Sequence, residues 1–331
     1  MSAGKTPLVD LVVIYEHPEW QKPLFEALDK RGVSWAPFDV KQAVFGDHDV
    51  PQARVYFNQA SPSAYLRGNT RAVALGLAFL RQLQWQGRKV LNGADVFAFE
   101  LSKTAQNALL GALGIDHPKS LSFNSIEALR GRADELGWPA LLKPDQGGSG
   151  ARIGVVDTFA DVEAAFADDS IWAPDNLFLL QEYLPHDPAF GIVRLEFLGG
   201  QLLYAMRVVT HGRFNLCPAP VCNPDDDGVS SCEIPAVPTR PVEFYPYAEV
   251  PDEAVATAKQ IFAAAKLDVG GIEYLQTPDG RRVFYDVNAN SNLRPSIANA
   301  FGFDPFERVV DFLVEQIAAQ KQAPTALSSS R

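Results

Sequence analysis

The sequence predicts an α/β fold that continues into an α+β part, because two patterns of strands follow one another along the chain. In the first part, the strand candidates LVDLVVIYE, GVSWAPFDV and ARVYFNQ alternate with helical stretches over 18–31 and 70–86. Such alternation is typical of a parallel sheet. From Gly191 onward, the segments IVRLEFL, QLLYAMRVV, GGIEYLQ and RRVFYDVN indicate antiparallel strands.

The length of 331 residues is too great for one ordinary core, so we expect several domains. The changes in pattern predict an N-terminal α/β domain over 1–98, a small central domain over 99–185, a C-terminal antiparallel-sheet domain over 186–320 and a disordered tail over 321–331. Further helices are expected over 102–113, 125–136, 159–166 and 305–319, with ALLK and LFLLQEYL as central strands.

The composition excludes some classes of function. The net charge of -11, from 40 acidic and 29 basic residues, argues against nucleic acid as the partner. The chain contains no apolar run near the ~20 residues of a membrane span, and its first residues lack an apolar signal segment. We therefore expect a cytoplasmic protein that binds no membrane.

The cysteines Cys217, Cys222 and Cys232 are odd in number, which suits reduced thiols. Their spacing lacks the C-x-x-C pair that is typical of zinc sites. A zinc site completed by His211 is therefore disfavoured.

A glycine-rich loop, KPDQGGSG, follows the predicted strand ALLK. Lys143 ends the strand, and the next turn contains Gly147, Gly148, Ser149 and Gly150. Glycines allow close approach of the backbone, so successive N–H groups can face one anion beside the charge of the lysine. The alternative is a flexible hairpin tip with a surface lysine. The spacing matches neither the G-x-x-x-x-G-K-[ST] nor the G-x-G-x-x-G motif.

The segment GGIEYLQTPDGRRVFYDVNAN predicts a hairpin with Asp279-Gly280 as a two-residue turn. That register places Glu273 opposite Asp286, with Asn288 two positions further on the same face. Opposed carboxylates repel each other, so the arrangement favours a divalent cation between them. Oxygen ligands of this kind suit Mg²⁺. The alternative is a solvated acidic face of the hairpin.

These motifs, in this order, resemble those of the ATP-grasp superfamily over nearly the whole chain. The resembling segments are VLNGADVFAFELSKTAQNALLGALGIDHPKS at the start of the central domain, WPALLKPDQGGSGARIGVV at the second lysine and phosphate-covering loop, NLFLLQEYLP at the hinge, and YDVNAN at the metal strand. Within the superfamily, the chain is most similar to glutathione synthetase-like and ribosomal-protein glutamate ligase-like carboxylate–amine ligases. The resemblance implies an ATP-grasp fold in which the central domain is a lid.

The resemblance also implies the cofactors ATP and Mg²⁺, with Mn²⁺ as an alternative ion. For the nucleotide it implies Lys103 and Lys143 at the phosphates, the glycine-rich loop as their cover, the hinge residues Gln181, Glu182, Tyr183 and Leu184 at adenine, Asp187 at the ribose, and Arg194 after the hinge. For catalysis it implies Arg207 and Asn215 beside the transferring phosphate, and it implies that Glu273, Asp286 and Asn288 bind the metal. Arg294 could hold the substrate carboxylate, the alternative being a surface arginine.

Two departures from the family pattern stand out. Asp286 occupies a position where many relatives have glutamate, and the Cys- and Pro-rich segment after Asn215 matches no substrate pattern.

The function expected from these residues is that of an ATP-dependent ligase, which joins a small carboxylate to an amine through an acyl phosphate. An amino acid or a peptide is the expected substrate, and the resemblance implies a homodimer. Two alternatives stay open: a small-molecule kinase with the same nucleotide site, and a non-catalytic ATP-binding regulatory protein.

Overall fold

The computed structural model describes residues 8–148, 150–212, 242–291 and 293–322. Within these ranges the chain forms three sheets, which follow one another along the sequence. No helix among these residues has both the length and the apolar character that crossing a membrane requires.

The first sheet is parallel and confirms the predicted α/β pattern. Its elements are β1 (Val9–Tyr15), α1 (Pro18–Arg31), β2 (Trp35–Asp39), β3 (Ala53–Gln59), α2 (Thr70–Trp85) and β4 (Lys89–Leu91), with a 3₁₀ turn over Pro62–Arg67. The strand order is β2-β1-β3-β4. The middle of β1 is apolar and buried, because α2 packs on one face of the sheet and α1 on the other.

The second sheet is antiparallel and belongs to the central part of the chain. Its elements are α3 (Ala94–Glu100), α4 (Lys103–Ala112), β5 (Ser120–Phe123), α5 (Ile126–Arg130), β6 (Ala140–Pro144), β7 (Gly154–Val156), α6 (Phe159–Ala165) and β8 (Phe178–Glu182), with strand order β5-β8-β6-β7. The helix predicted over 125–136 is wrong in its second half, because α5 ends before Gly131 and a 3₁₀ turn covers Ala133–Leu136. Glycine is a poor residue for continuing a helix.

The third sheet is antiparallel throughout, as predicted. Its elements are β9 (Ile192–Leu198), β10 (Gln201–Val209), β11 (Glu243–Pro246), α7 (Asp252–Ala264), β12 (Val269–Gln276), β13 (Arg282–Asn288) and α8 (Pro295–Ala298), with strand order β11-β10-β9-β12-β13. Helix α7 covers one face, where Ala258, Ile261 and Phe262 pack against apolar residues of the strands. The other face carries the buried charged residues described below.

The last helix in the described ranges, α9 (Pro305–Gln322), returns to the first sheet. Its residues Val309, Val310, Leu313 and Ile317 share a core with β1, β3 and α1. The helix runs two residues into the predicted tail, and 323–331 lie outside the described residues.

Candidate active site

A cavity of about 190 Å³ opens between the central sheet and the C-terminal sheet. Its lining brings together most of the residues expected from the sequence, namely Lys103, Lys143, Gly147, Gly148, Gly150, Gln181, Tyr183, Leu184, Glu273, Asp286 and Asn288. Apolar side chains complete the wall, among them Leu141, Ile153, Ile192 and Leu275. The expected residues Ser149 and Asn215 lie outside the described residues, as do Cys217, Cys222 and Cys232.

Two lysines from different elements reach this cavity. Lys143 is the last residue but one of β6 and is only 6% exposed. Burial, and then the charge of Lys103, lower the pKa of Lys143 to about 8. Lys103 opens α4, and Asp145 joins the two elements: its Oδ1 accepts from Thr104 N at 2.7 Å, and its carbonyl accepts from Lys103 N at 3.2 Å. The loop after Lys143 therefore fixes the start of the helix that carries the second lysine.

A side chain on the glycine-rich loop would meet close neighbours at two positions. A Cβ on Gly147 would lie 3.0 Å from Cε of Lys103, and one on Gly148 would lie 2.5 Å from Cβ of Ser63. Ser63 belongs to the N-terminal part, where the carbonyl of Pro62 also accepts a hydrogen bond from Gln146 Nε2 at 3.0 Å. The glycine-rich loop therefore packs against the N-terminal part of the chain and lies beside Lys103.

The hairpin of β12 and β13 places Glu273 directly opposite Asp286, which confirms that pairing. The predicted two-residue turn is wrong. Near the turn the observed pairing is offset by one residue from the predicted pairing, since Gln276 pairs with Arg282 and not with Val283. A bulge at Tyr285 brings the two strands back into the predicted register at Glu273 and Asp286. A bulge sets two residues of one strand against one of the other. Tyr285 and Asp286 therefore both face Glu273.

The oxygens of the two carboxylates are held by different donors. Glu273 accepts from Arg194 Nη1 at 2.8 Å and from the Tyr285 hydroxyl at 2.9 Å. Asp286 accepts from Asn288 Nδ2 at 2.9 Å and contacts the ammonium of Lys103. Burial and the charge of Asp286 raise the pKa of Glu273. Burial opposes the charge of Asp286, but Lys103 and the hydrogen bond from Asn288 hold the pKa of Asp286 below its usual value.

This donor set fits a Mg²⁺ ion. Two carboxylates repel each other across the hairpin, and the Asn288 amide can offer its carbonyl oxygen beside them. No cluster of three or more His, Cys, Asp or Glu side chains suited to a metal occurs within the described ranges. An ion here would therefore also need oxygens from water and phosphate, as is usual for Mg²⁺.

The hinge end of the cavity fits a nucleotide base. Gln181 is buried, and its Oε1 has no hydrogen-bond partner among the described residues. Gln181 lines this end of the cavity together with Tyr183 and Leu184, and such a mixed polar and apolar wall suits a flat base. Glu182 turns its side chain away, since its Oε1 accepts from Lys119 N at 2.7 Å. Asp187 is not among the lining residues, and its Oδ1 accepts from Ala189 N at 2.8 Å.

Arg194 lies on β9, the strand next to β12, where it pairs directly with Glu273. Its Nε donates to Glu196 at 2.6 Å, and its Nη1 donates to Glu273. A Cβ on Gly271 would lie 2.5 Å from Arg194 Nη2, so only glycine leaves room for this guanidinium. Arg194 is 8% exposed, and Glu196 is also held by the Ser291 hydroxyl. A buried pair of this kind depends on having both signs of charge present.

Arg294 lies on the same side of the sheet as Arg194. Its backbone N–H donates to the Tyr204 hydroxyl at 2.9 Å, and its guanidinium carbon lies 3.4 Å from the centre of the Phe244 ring. Burial, and then the charge of Arg194, lower the pKa of Arg294 to about 10.

Arg207 is not brought to the cavity. It pairs with Val193, the neighbour of Arg194, and therefore points to the opposite face of the sheet. There its guanidinium lies over Phe190 and Tyr245, at 5.0 and 5.5 Å from the ring centres. The prediction that Arg207 lies beside the phosphates therefore disagrees with the structure.

Tyr285 and Glu100 are lining residues of the cavity that the sequence analysis did not single out. Tyr285 holds Glu273, and Glu100 accepts from Asn290 N at 2.8 Å. Burial raises the pKa of Glu100 to about 7. Tyr285 owes its position to the bulge, which no sequence pattern signals. The spacing of Glu100, three residues before Lys103, is the signal that could have identified it.

No family model matches the sequence. The chain is similar to a D-alanine–D-alanine ligase of an Arthrobacter species, with 28% identity over 184 residues, which are 51% of this chain and 42% of the relative. It is also similar to the large chain of an arginine-specific carbamoyl phosphate synthase of Eremothecium gossypii, with 24% identity over 127 residues, 38% of this chain and 11% of the relative. The chain thus spans less than half the length of these curated relatives.

Solved structures match over almost the whole chain. The ATP-grasp ligase PsnB in complex with a minimal precursor has a TM-score of 0.65 at 21% identity, covering 93% of this chain and 99% of that one. An ATP-grasp RimK-domain protein of Sphaerobacter thermophilus has a TM-score of 0.64 at 18% identity, covering 92% and 98%. A D-alanine–D-alanine ligase of Bacillus anthracis complexed with ATP has a TM-score of 0.66 at 13% identity, covering 96% and 100%.

The chain has the ATP-grasp fold that the sequence predicted. The expected likeness to ATP-grasp carboxylate–amine ligases is confirmed by the similarity in sequence to a D-alanine–D-alanine ligase.

Proposed function

We propose that this protein is an ATP-dependent ligase, which joins a carboxylate to an amine through an acyl phosphate and releases ADP and phosphate. The observation that carries the proposal is the meeting of Lys103, Lys143 and the opposed carboxylates Glu273 and Asp286 in one cavity beneath a glycine-rich loop. The similarity to D-alanine–D-alanine ligases and to the ligase PsnB supports it.

The chemistry requires alignment and charge more than a protein nucleophile. A carboxylate cannot readily expel hydroxide, so it is first phosphorylated and the amine then displaces phosphate. Phosphoryl transfer of this kind depends on positioning and on neutralising charge. The ammonium groups of Lys103 and Lys143 supply the positive charge that neutralises the phosphates. Lys143 is buried, and a charge in such a site acts with little screening by water.

The nucleotide base is assigned to Gln181, Tyr183, Leu184 and the backbone of Glu182, and Mg²⁺, or Mn²⁺ in its place, to Glu273, Asp286 and Asn288. When bound, the metal supplies positive charge at the phosphate oxygens. Arg207 is left out of the phosphate site because of its position on the opposite face.

The substrate side of the proposal rests on the loop and on Arg294. Because Gly148 packs closely against Ser63, the loop can cover the cavity and exclude water, which would hydrolyse an acyl phosphate. Arg294 is assigned to the substrate carboxylate, since a guanidinium can bind it in a bidentate manner. We propose an amino acid or a peptide as the substrate, and PsnB has been solved with a precursor peptide.

The first test measures ADP and inorganic phosphate together, with purified protein, ATP, Mg²⁺ and pooled carboxylates, amino acids and peptides. Phosphate that rises with ADP only when a carboxylate and an amine are both present would support the ligase. ADP without free phosphate would contradict it in favour of a kinase. Tight ATP binding without turnover on any pool would favour a regulatory ATP-binding protein.

Variants link that activity to the cavity. Lys143→Ala and Asp286→Ala are each expected to abolish turnover with the identified substrates, whereas the exposed Lys259→Ala is expected to leave it unchanged. Near wild-type ADP release by either cavity variant would show that the assigned roles are wrong. The cytoplasmic location and the homodimer belong to the same proposal, and light scattering after size-exclusion chromatography measures the second.

A further inference from the structure

Strand β13, which carries Asp286 and Asn288, lies at the edge of the C-terminal sheet. An edge strand leaves a row of N–H and C=O groups without a neighbouring strand. When such groups are buried, leaving them unpaired costs about as much free energy as a lost hydrogen bond. The groups that cover this edge therefore influence where the carboxylate and the amide of β13 lie.

The side chain of Gln106 takes the place of the missing strand. Val287 N donates to Gln106 Oε1 at 3.1 Å, and Gln106 Nε2 donates to Val287 O at 2.9 Å. One amide thus makes both hydrogen bonds that a neighbouring strand would make to this residue. Gln106 is 0% exposed, so water does not compete for these bonds. Val287 stands between Asp286 and Asn288, and its backbone is fixed midway between them.

The same turn of α4 carries Lys103. Residues three apart share one side of a helix, and Lys103 Nζ donates to Gln106 Oε1 at 3.3 Å while it contacts Asp286. The hydrogen bonds of Gln106 to Val287 therefore fix α4 against β13 in the position that brings this ammonium to this carboxylate. Gln106 itself is not among the residues that line the cavity.

We propose that Gln106 is a positioning residue for the metal site, an inference that rests on the proposed function. It holds the backbone of β13 so that Asp286 and Asn288 face the same ion, and it sets the place of Lys103 beside them. Outer hydrogen-bond partners of metal ligands have this effect in general, and their loss weakens metal binding about 10- to 100-fold.

The test measures the binding of Mn²⁺ to protein saturated with ADP by isothermal titration calorimetry. Gln106→Met keeps the length of the side chain and removes both hydrogen bonds, and we expect its dissociation constant for Mn²⁺ to rise about tenfold or more. Asn107→Ala is the matched control, because Asn107 lies on the same helix and donates to Ser120 Oγ at 2.7 Å, away from β13. We expect this control to bind Mn²⁺ like the wild type.

Hydrogen–deuterium exchange provides a second measurement. The N–H of Val287 should exchange faster in Gln106→Met than in the control, because its acceptor is gone. Faster exchange together with an unchanged Mn²⁺ affinity would overturn the positioning role. If Gln106→Met does not fold by circular dichroism, Gln106→Asn, which carries the same amide one methylene shorter, is measured against the same expectation.

A further variant separates this inference from the proposed function. Asp286→Asn should lose most Mn²⁺ binding, since it removes a proposed ligand. Wild-type affinity in Asp286→Asn would mean that the metal assignment has failed, and the role of Gln106 would fail with it. Weak binding in Asp286→Asn with wild-type binding in Gln106→Met would overturn the role of Gln106 alone.

Discussion

Replacement of Lys143 by methionine is expected to stabilise the ligand-free protein, although it should abolish activity. The ammonium of Lys143 is buried, and burial disfavours its charged form. A fall of its pKa from 10.5 to about 8 corresponds to about 3 kcal/mol of lost stability at pH 7. Methionine has a similar length and no charge, so Lys143→Met should recover up to about this amount.

The pH dependence gives this prediction its sign. The folded protein releases the proton of Lys143 near pH 8, whereas the unfolded chain keeps it up to about pH 10.5. Between these values the unfolded state binds more protons, so the stability of the wild type rises with pH relative to the variant. The advantage of Lys143→Met should therefore be complete below pH 8 and vanish above pH 10.5.

Urea denaturation of the nucleotide-free protein at pH 7 and at alkaline pH measures this difference. Lys259→Met, on the exposed side of α7, is the matched control and should change the free energy of unfolding by less than about 0.5 kcal/mol. A variant less stable than the wild type at pH 7, or a difference independent of pH, would refute the reasoning.

Three further changes test the charges and contacts of the site. Arg194→Met leaves two buried carboxylates without their cation, and urea denaturation should show a loss of about 3–5 kcal/mol; wild-type stability would contradict the ion-pair description. Gly148→Ala places a methyl group against Ser63, so steady-state kinetics should show a large fall in kcat. The control Gly131→Ala, where a Cβ meets nothing within 4 Å, should keep the kcat of the wild type. Equal kcat values for the two variants would argue against close packing of the loop on Ser63. Tyr285→Phe removes a partly buried hydrogen bond to the buried carboxylate of Glu273 and should cost about 1–3 kcal/mol by the same denaturation assay, and no change would mean that the phenol is dispensable.

The pairing of Glu273 with Asp286 could be predicted from the sequence, although the predicted turn was wrong. The loop has three residues, because Thr277 N donates to Arg281 O and Gly280 closes the turn with φ of +87°. An Asp-Gly pair favours a two-residue turn but also suits a three-residue loop that ends in glycine. The bulge at Tyr285 then cancels the offset of one residue. Local propensity cannot reveal a bulge that packing selects.

The face of Arg207 could not be predicted for the same reason. In the register at the start of β10, Arg207 would lie opposite Ile192 and on the side of Arg194. A bulge after Leu202 sets it opposite Val193 instead. A shift of one residue moves every later side chain to the other face of the sheet. Lys143 and the hinge were easier to predict, since each belongs to a strand whose apolar residues carry their own signal.

The return of α9 to the first sheet has a consequence for synthesis. One face of that sheet is covered by α1 together with α9, whose apolar residues are made more than two hundred positions after β3. Until they emerge from the ribosome, part of the apolar face around Val13 and Phe57 lacks its cover. An N-terminal fragment that stops before residue 305 should therefore expose this face and be prone to association or to chaperone binding.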